Sequence, residues 1–542
     1  MTDMTEALER AERGDDAMLA QRNDRWYPSM HIAARAGWIN DPNGLSYVDG
    51  RYQVYLQHHP YSAEWGPMHW AHVSSADMVT WQREPIAMAP SIEEDKAGVF
   101  SGSAIVRDDG VLAVFYTGHR YRNGVDEEIG NLQVQCLALS RDGGRTFEKR
   151  GMVIDCPEGF WHFRDPKVWK QADGLWYLVV GASTLERRGQ VWLYRCGDPA
   201  LETWEFDRVL YEDPDPGVFM LECPDFFPLL RSGESGAVPG AGASEDVRWV
   251  LVFSPMGTTP HGYVERNGNN AVYVVGDWSP GGDFTEVSGH RPSDAGANYY
   301  APQSFLAPDG RRVLYGWMGS FASPEPTRAA DNWCGQLTVP RELRLSPGGD
   351  SVLTLPVAEV AALRAGTRDF GAFDLGINED RVLMGDVGAA GVDAGGEGAS
   401  GAVDVELELD LARTTAERVD LVIHRTPSGA QTVVCWDDQS GRVWLDRRLS
   451  GEGDRGYRSV PVPDSIAPTG AAVGDRGVLR LRVVIDRGSV EVFVGEGEGV
   501  MSSLVFPPAG PRELALASES GVAAIAGLRV HELRSIWESP DR

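Results

Sequence analysis

Nowhere in the 542 residues does an apolar run approach the roughly 20 residues that cross a bilayer as a helix. No Asn-x-Ser/Thr sequon occurs. The N-terminal stretch MTDMTEALERAERGDDAMLAQRNDRW is charged and lacks the apolar core of a secretory signal. Cysteine is sparse: Cys136, Cys156, Cys196, Cys223, Cys334 and Cys435 are scattered, with no Cys-x-x-Cys pair, so they outline neither a disulfide framework nor a thiolate metal cage. These absences together predict a cytoplasmic protein with reduced thiols. There is no glycine-rich phosphate loop and no nucleophile-elbow serine. The close pairs His58/His59 and His69/His72 have no third ligand at a suitable spacing, and strand geometry sends neighbouring side chains to opposite faces, so neither a metal nor another cofactor is expected. Positive charge is also short, 50 Lys and Arg against 79 Asp and Glu, for a net charge of −29. Such a field repels nucleic acid and anionic membranes, which excludes both as partners.

What is plentiful is glycine, proline and aromatic residues, a composition that leans to strands and turns. The length predicts more than one domain. An amphipathic helix is expected over Thr5–Gln21, with Leu8, Ala11, Met18 and Leu19 on its apolar face. Five short runs then recur, starting roughly 60 to 70 residues apart: Tyr52–Gln57, Leu112–Gly118, Trp176–Gly181, Trp249–Ser254 and Val313–Trp317. Each is too short and too rich in β-branched and aromatic residues for a helix, and reads as a buried strand. A charged motif around an aromatic follows in four of the units, at Trp81, Phe147, Trp204 and Phe284, and marks outer strands. Five such units predict a five-bladed β-propeller. Beyond about residue 350 the alternation of Val403–Asp410, Arg418–His424, Val478–Ile485 and Ser489–Val494 predicts a β-sandwich. The expected organisation is all-β: a helical extension at 1–24, a propeller at 25–350, a linker at 351–368 with a short helix near Leu355–Arg364, and a sandwich at 369–542. Gly385–Gly401 and Ser232–Glu245 read as loops.

Chemistry gathers upstream of each recurring strand. Asp41, Ser101 and Asp165 each precede the start of their run by 11 positions, and Gln303 precedes its run by 10. Glu222 lies further ahead because the Gly/Ala/Ser insert intervenes. In a propeller such positions converge at one end of the central axis. Asp41, Asp165 and Glu222 would then meet beside Arg164, and crowded carboxylates in a partly buried site titrate unequally. That is the equipment of glycoside hydrolysis. Trp65 and Trp317 are expected to offer ring faces to a sugar, whereas Trp70 reads as core.

At these residues the sequence resembles glycoside hydrolase family 32, the invertases and fructan hydrolases. The resemblance is carried in order by Trp38–Gly44, Trp65–Trp70 with Asp77–Trp81, Phe100–Ser103, Phe163–Lys167, Glu222–Asp225, Tyr300–Phe305 and the C-terminal Ser489–Val494. It implies a retaining β-fructofuranosidase acting on a small sugar: sucrose, sucrose 6-phosphate or short fructo-oligosaccharides. Asp41 would be the nucleophile, Glu222 the acid and base, and Asp165 the transition-state stabiliser. Asn40, Gln57, Trp65, Phe100, Ser101, Arg164, Tyr300 and Trp317 would line the fructosyl subsite. The nucleophile and acid of a retaining pair stand about 5 to 5.5 Å apart. Fructosyl transfer, or sugar binding without catalysis, is the alternative. Where the family often has Asp this chain has Asn298, which is expected to touch aglycone preference.

Overall fold

The computed structural model describes residues 4–231, 247–385, 387, 400–470 and 472–537. The loop expected at 232–245 lies outside the described residues. So does the one at 385–401, apart from Gly385, Val387, Ser400 and Gly401.

The five recurring runs are the second strands of five antiparallel sheets arranged as a propeller. Their apolar residues do not alternate with polar ones because each blade is covered on both faces. In Trp176–Thr184, Leu178 and Val180 pack with Ala113 and Phe115 of blade 2, while Tyr177 and Val179 pack with Trp249 and Leu251 of blade 4. In blade 4, Val250 and Val252 turn towards Leu314 of blade 5. Val313 and Tyr315 of blade 5 meet Val54 and Leu56 of blade 1, and Tyr55 of blade 1 meets Val114 of blade 2. The ring is thereby closed by five interblade cores. Truncating one of these residues, such as Phe115→Ala, costs about 3–5 kcal/mol. The short strand Trp333–Cys334, which leaves blade 5, pairs in parallel with Gly37–Trp38 at the start of blade 1 and latches the ring.

The N-terminal helix spans Met4–Leu19 and lies against blade 1. Its buried stripe is Ala7, Ala11 and Asp15, whereas Leu8, Met18 and Leu19 are only partly covered. An acidic residue thus takes an inward position that hydrophobicity would have given to leucine.

Little of the stretch 351–368 is free chain. Val352–Pro356 is the outer strand of blade 5, Ala358–Leu363 is a 3-10 turn, and Arg364–Asp369 already pairs with Ala523–Leu533. A seven-stranded and a six-stranded sheet then face one another across an aliphatic core. Propeller and sandwich meet at a sealed polar cluster. Arg341 donates to Asp294 (2.9 Å), Ser502 (2.5 Å) and Glu491. His31 bridges Asp486 (2.9 Å) and Glu491 (2.8 Å). Two cations and three carboxylates are buried here, and each is held by hydrogen bonds to the others, which is what permits their burial.

Candidate active site

The innermost strand of every blade carries one extra residue at the same place. Pairing with the second strand breaks between Ile39 and Pro42, Val99 and Gly102, Arg164 and Lys167, Glu222 and Asp225, and Tyr300 and Gln303. Such bulges bend a strand and re-aim its side chains. In blades 3, 4 and 5 the first bulged residue is left-handed and precedes proline: Asp165 (φ 69°), Cys223 (φ 49°) and Ala301 (φ 49°). A non-glycine residue held there costs about 1–3 kcal/mol, and such strain gathers at functional sites. Proline suits the next position, since a bulged residue need not donate to the ladder.

The bulges refine the equivalence read from spacing. Asp41 matches Ser101, but Asp165 matches Asn40, and Glu222 matches Ile39, just ahead of its bulge. Counting from the start of a run misses this, because an apolar run need not begin at the same ladder position in each blade.

The carboxylates and their neighbours nonetheless come together. Asp41 accepts from Ser101 Oγ (2.5 Å), Asn40 Nδ2 (3.0 Å) and the Cys223 thiol (3.3 Å). Asn40 is itself held by Trp38 Nε1 (2.8 Å). The backbone N–H of Cys223 donates to Asp165 Oδ2 (2.9 Å), and that of Asp165 donates to Thr117 Oγ1 (2.9 Å). Arg164 crosses from blade 3 to blade 4 and holds Glu222, whose other oxygen accepts from Tyr300 Oη. Gln133 Oε1 accepts from Arg164 Nη1 (3.3 Å) and from the backbone of Phe163 (2.9 Å), which fixes the guanidinium. Phe100 stacks on His119 with centroids 4.0 Å apart, and exposed Trp65 stands edge-on to Phe100 at 6.0 Å. Gln57 lies opposite the first bulge and donates to Val99 O (3.0 Å).

Trp317 departs from expectation. It is fully buried against Trp38 and Phe321, at 5.5 and 4.8 Å, so its ring backs the site and presents no face to a ligand. Trp70 is core, as expected. Asn298 is also displaced from its expected role. Its Oδ1 accepts from Leu504 N (3.0 Å) of the sandwich, so it serves the domain interface rather than the rim. Cys223, Thr117 and Gln133 were not expected to act here. Of these, only Cys223 carried a signal, its place inside the Glu222–Asp225 motif.

Electrostatically the set is three carboxylates against one guanidinium. Burial pushes Asp41 above its ordinary value, opposed by the donors from Ser101 and Asn40 and reinforced by the charge of Glu222. Asp165 is pushed up to about 7, first by burial and then by Glu222 and Asp41, against the pull of Arg164. Crowded in this way, the carboxylates retain a proton near neutrality that belongs to the set rather than to one member. Burial and the nearby Arg164 hold His119 and His162 down to about 3, so both stay neutral.

Residues 31–356 match the model of the glycosyl hydrolases family 32 N-terminal domain, and 359–532 match that of the family 32 C-terminal domain. The chain belongs to glycosyl hydrolase family 32. Among relatives of this family 32 enzyme, a sucrose-6-phosphate hydrolase of Escherichia coli is 41% identical over 505 residues, covering 93% of this chain and 94% of its own. A raffinose invertase of Escherichia coli is 40% identical over 522 residues, covering 96% and 98%. The solved GH32 β-fructofuranosidase of Bombyx mori superposes with a TM-score of 0.78 at 30% identity, covering 99% of this chain and 100% of its own. Among the described residues no helix is long and apolar enough to cross a membrane.

Proposed function

We propose that this family 32 hydrolase is a retaining β-fructofuranosidase that releases terminal fructose from sucrose, sucrose 6-phosphate or short fructo-oligosaccharides. The observation that carries this reading is the meeting of Asp41, Asp165 and Glu222, from three blades, around Arg164. Asp41 attacks the anomeric carbon. Its Oδ2 carries two donors and Oδ1 only one, which leaves Oδ1 the freer oxygen. Glu222 gives its proton to the departing sugar oxygen, then takes one from the water that releases fructose from Asp41. Asp165 receives hydroxyls of the fructosyl ring and stabilises positive charge as it develops.

The shared proton connects binding to catalysis. Arg164 and Tyr300 both donate to Glu222 and so fix its carboxyl group at the mouth of the site. Sugar hydroxyls donating to Asp165 favour its ionised form, which frees the proton of the set for Glu222. Asn40, Gln57, Trp65, Phe100, Ser101 and Tyr300 shape the fructosyl subsite, with Trp317 beneath it. The reading includes a cytoplasmic place of action, where thiols such as Cys223 stay reduced.

Steady-state kinetics on sucrose, sucrose 6-phosphate, kestose and inulin, with product analysis at high sucrose, test the reading. Free fructose is expected, with the small sugars preferred over inulin. Kestose-type trisaccharides without free fructose would replace hydrolysis by transfer, and binding without turnover would leave only a lectin-like role.

A further inference from the structure

Past their bulges the five innermost strands run to the other end of the propeller channel, where they line a cavity of about 530 Å³. A polar layer closes it from the carboxylates. Lys167 Nζ lies 3.3 Å from Asp225 Oδ2 and 3.1 Å from Gln303 Oε1, and Gln303 Nε2 donates to Cys223 O at 3.3 Å. Asp225 Oδ2 also accepts from Ser304 N and Oγ, both at 2.6 Å. Below that layer the wall is largely apolar, with Phe226, Leu229 and Phe305 among its residues.

Arg312, on the second strand of blade 5, faces the same cavity. Its guanidinium lies 4.7 Å from the Phe227 ring centroid. Among the described residues no hydrogen bond or ion pair engages its side chain, and its Nε is buried without a partner. The other charges of the wall are spoken for. Lys170 pairs with Asp108 at 2.5 Å, Arg344 with Glu342 at 2.7 Å, and Lys167 with Asp225. Among the described residues of the wall one cation is therefore left without an ionic partner, inside a chain whose net charge is −29. Burial holds Arg312 down to about 10, and the charge of Asp225, which Lys167 shares, opposes this only in part. A partly desolvated cation without a counter-charge is costly, and a ligand that supplies that charge reduces the cost.

We propose that this cavity is a second ligand site, which binds a small organic monoanion with its carboxylate on Arg312 and an aromatic or branched aliphatic body against the apolar wall. A single leftover positive charge calls for a single negative one, and a planar guanidinium pairs a carboxylate through two parallel bonds. The volume and apolar lining suit a ligand of that size. A neutral, hydroxyl-rich sugar would leave Arg312 unpaired and its own hydroxyls unsatisfied, so the site is distinct in chemistry as well as in position from the one that holds the carboxylates.

Phenylacetate is a fitting probe, with neutral phenylacetamide as its control, titrated calorimetrically into the full chain. Saturable binding of one phenylacetate per chain is expected. Phenylacetamide should bind at least about tenfold more weakly, and Arg312→Gln should weaken phenylacetate by a similar factor. Sucrose hydrolysis by Arg312→Gln should be unchanged, and saturating sucrose should not displace phenylacetate from Asp41→Asn. Absence of saturable binding up to about 10 mM would overturn the proposal. So would equal binding of the amide, equal binding by Arg312→Gln, or displacement by sucrose. Should Arg312→Gln fail to fold, the comparison of acid with amide on the unaltered chain still decides.

Discussion

Arg164 donates through both Nε (3.1 Å) and Nη2 (2.6 Å) to one oxygen, Oε1, of Glu222. This bond joins blade 3 to blade 4 across the mouth of the channel, so the same guanidinium that steadies Glu222 also sets the charge felt by Asp165. Arg164→Lys keeps the charge but loses the fork, and kcat for sucrose is expected to fall about 10²-fold, or ~2.7 kcal/mol of barrier. Arg164→Gln removes the cation. Asp165, which that charge lowers, then rises further, and the pH–rate profile is expected to move to higher pH. A pH–rate profile of Arg164→Gln with unmoved limbs would remove the electrostatic role.

Asp41→Asn keeps the shape of the first bulge and removes the carboxylate proposed as nucleophile. Turnover should fall at least about 10⁴-fold, or roughly 5.5 kcal/mol. In the unaltered enzyme, NMR of the first fructose released should show the β anomer. Near-normal turnover by the variant, or inversion, would contradict the assignment.

Glu222→Gln should discriminate between leaving groups. A sugar alkoxide needs the proton, whereas an activated aryl fructoside does not, so hydrolysis of sucrose should suffer at least about tenfold more than that of the aryl compound. Equal losses would count against the acid role.

Much of this arrangement was legible in the residues, for a physical reason. A strand buried on both faces must be apolar throughout, so Trp176–Gly181 and its four counterparts stand out wherever they fall. Carboxylates beside proline in an apolar setting, such as Asp165-Pro166, stand out likewise. The bulges were not legible, because one extra residue is visible only against the partner strand, and this is why Asp41 and Asp165 were taken as strict equivalents. Trp317 and Asn298 were misplaced for a related reason. Sequence tells which way a strand residue points, but not what packs there. For Trp317 it is Trp38 and Phe321, and for Asn298 it is Leu504 of the second domain.

Asp15 of the N-terminal helix approaches His58 Nε2 at 3.4 Å, and from there a line of contacts runs to the nucleophile. His58 Nδ1 meets Trp38 O at 2.9 Å, Trp38 Nε1 donates to Asn40 at 2.8 Å, and Asn40 donates to Asp41 at 3.0 Å. On this line of contacts Asp15 is expected to position Asp41. Asp15→Ala should lower kcat about three- to tenfold with KM little changed, while Asp15→Asn retains most activity. A rise in KM at constant kcat would mean that the helix shapes binding instead.

His31 should make the domain interface sensitive to alkali. Asp486 and Glu491 raise its pKa to about 9 against the cost of burial, and His31 in turn helps to hold both acids below their ordinary values. A histidine raised on folding stabilises fully below its unfolded value, about 6.5, and that contribution is lost as the pH climbs through about 9. The two acids work in the opposite sense, contributing above the ordinary carboxylate range and failing as the pH drops below it. His31→Ala should therefore cost about 3–5 kcal/mol near pH 6, where the pair is fully charged. The gap in Tm between the variant and the unaltered protein should narrow steadily from pH 6.5 to beyond pH 9. Thermal unfolding at a series of pH values measures that gap, and a gap independent of pH over this range would show that His31 acts by packing alone.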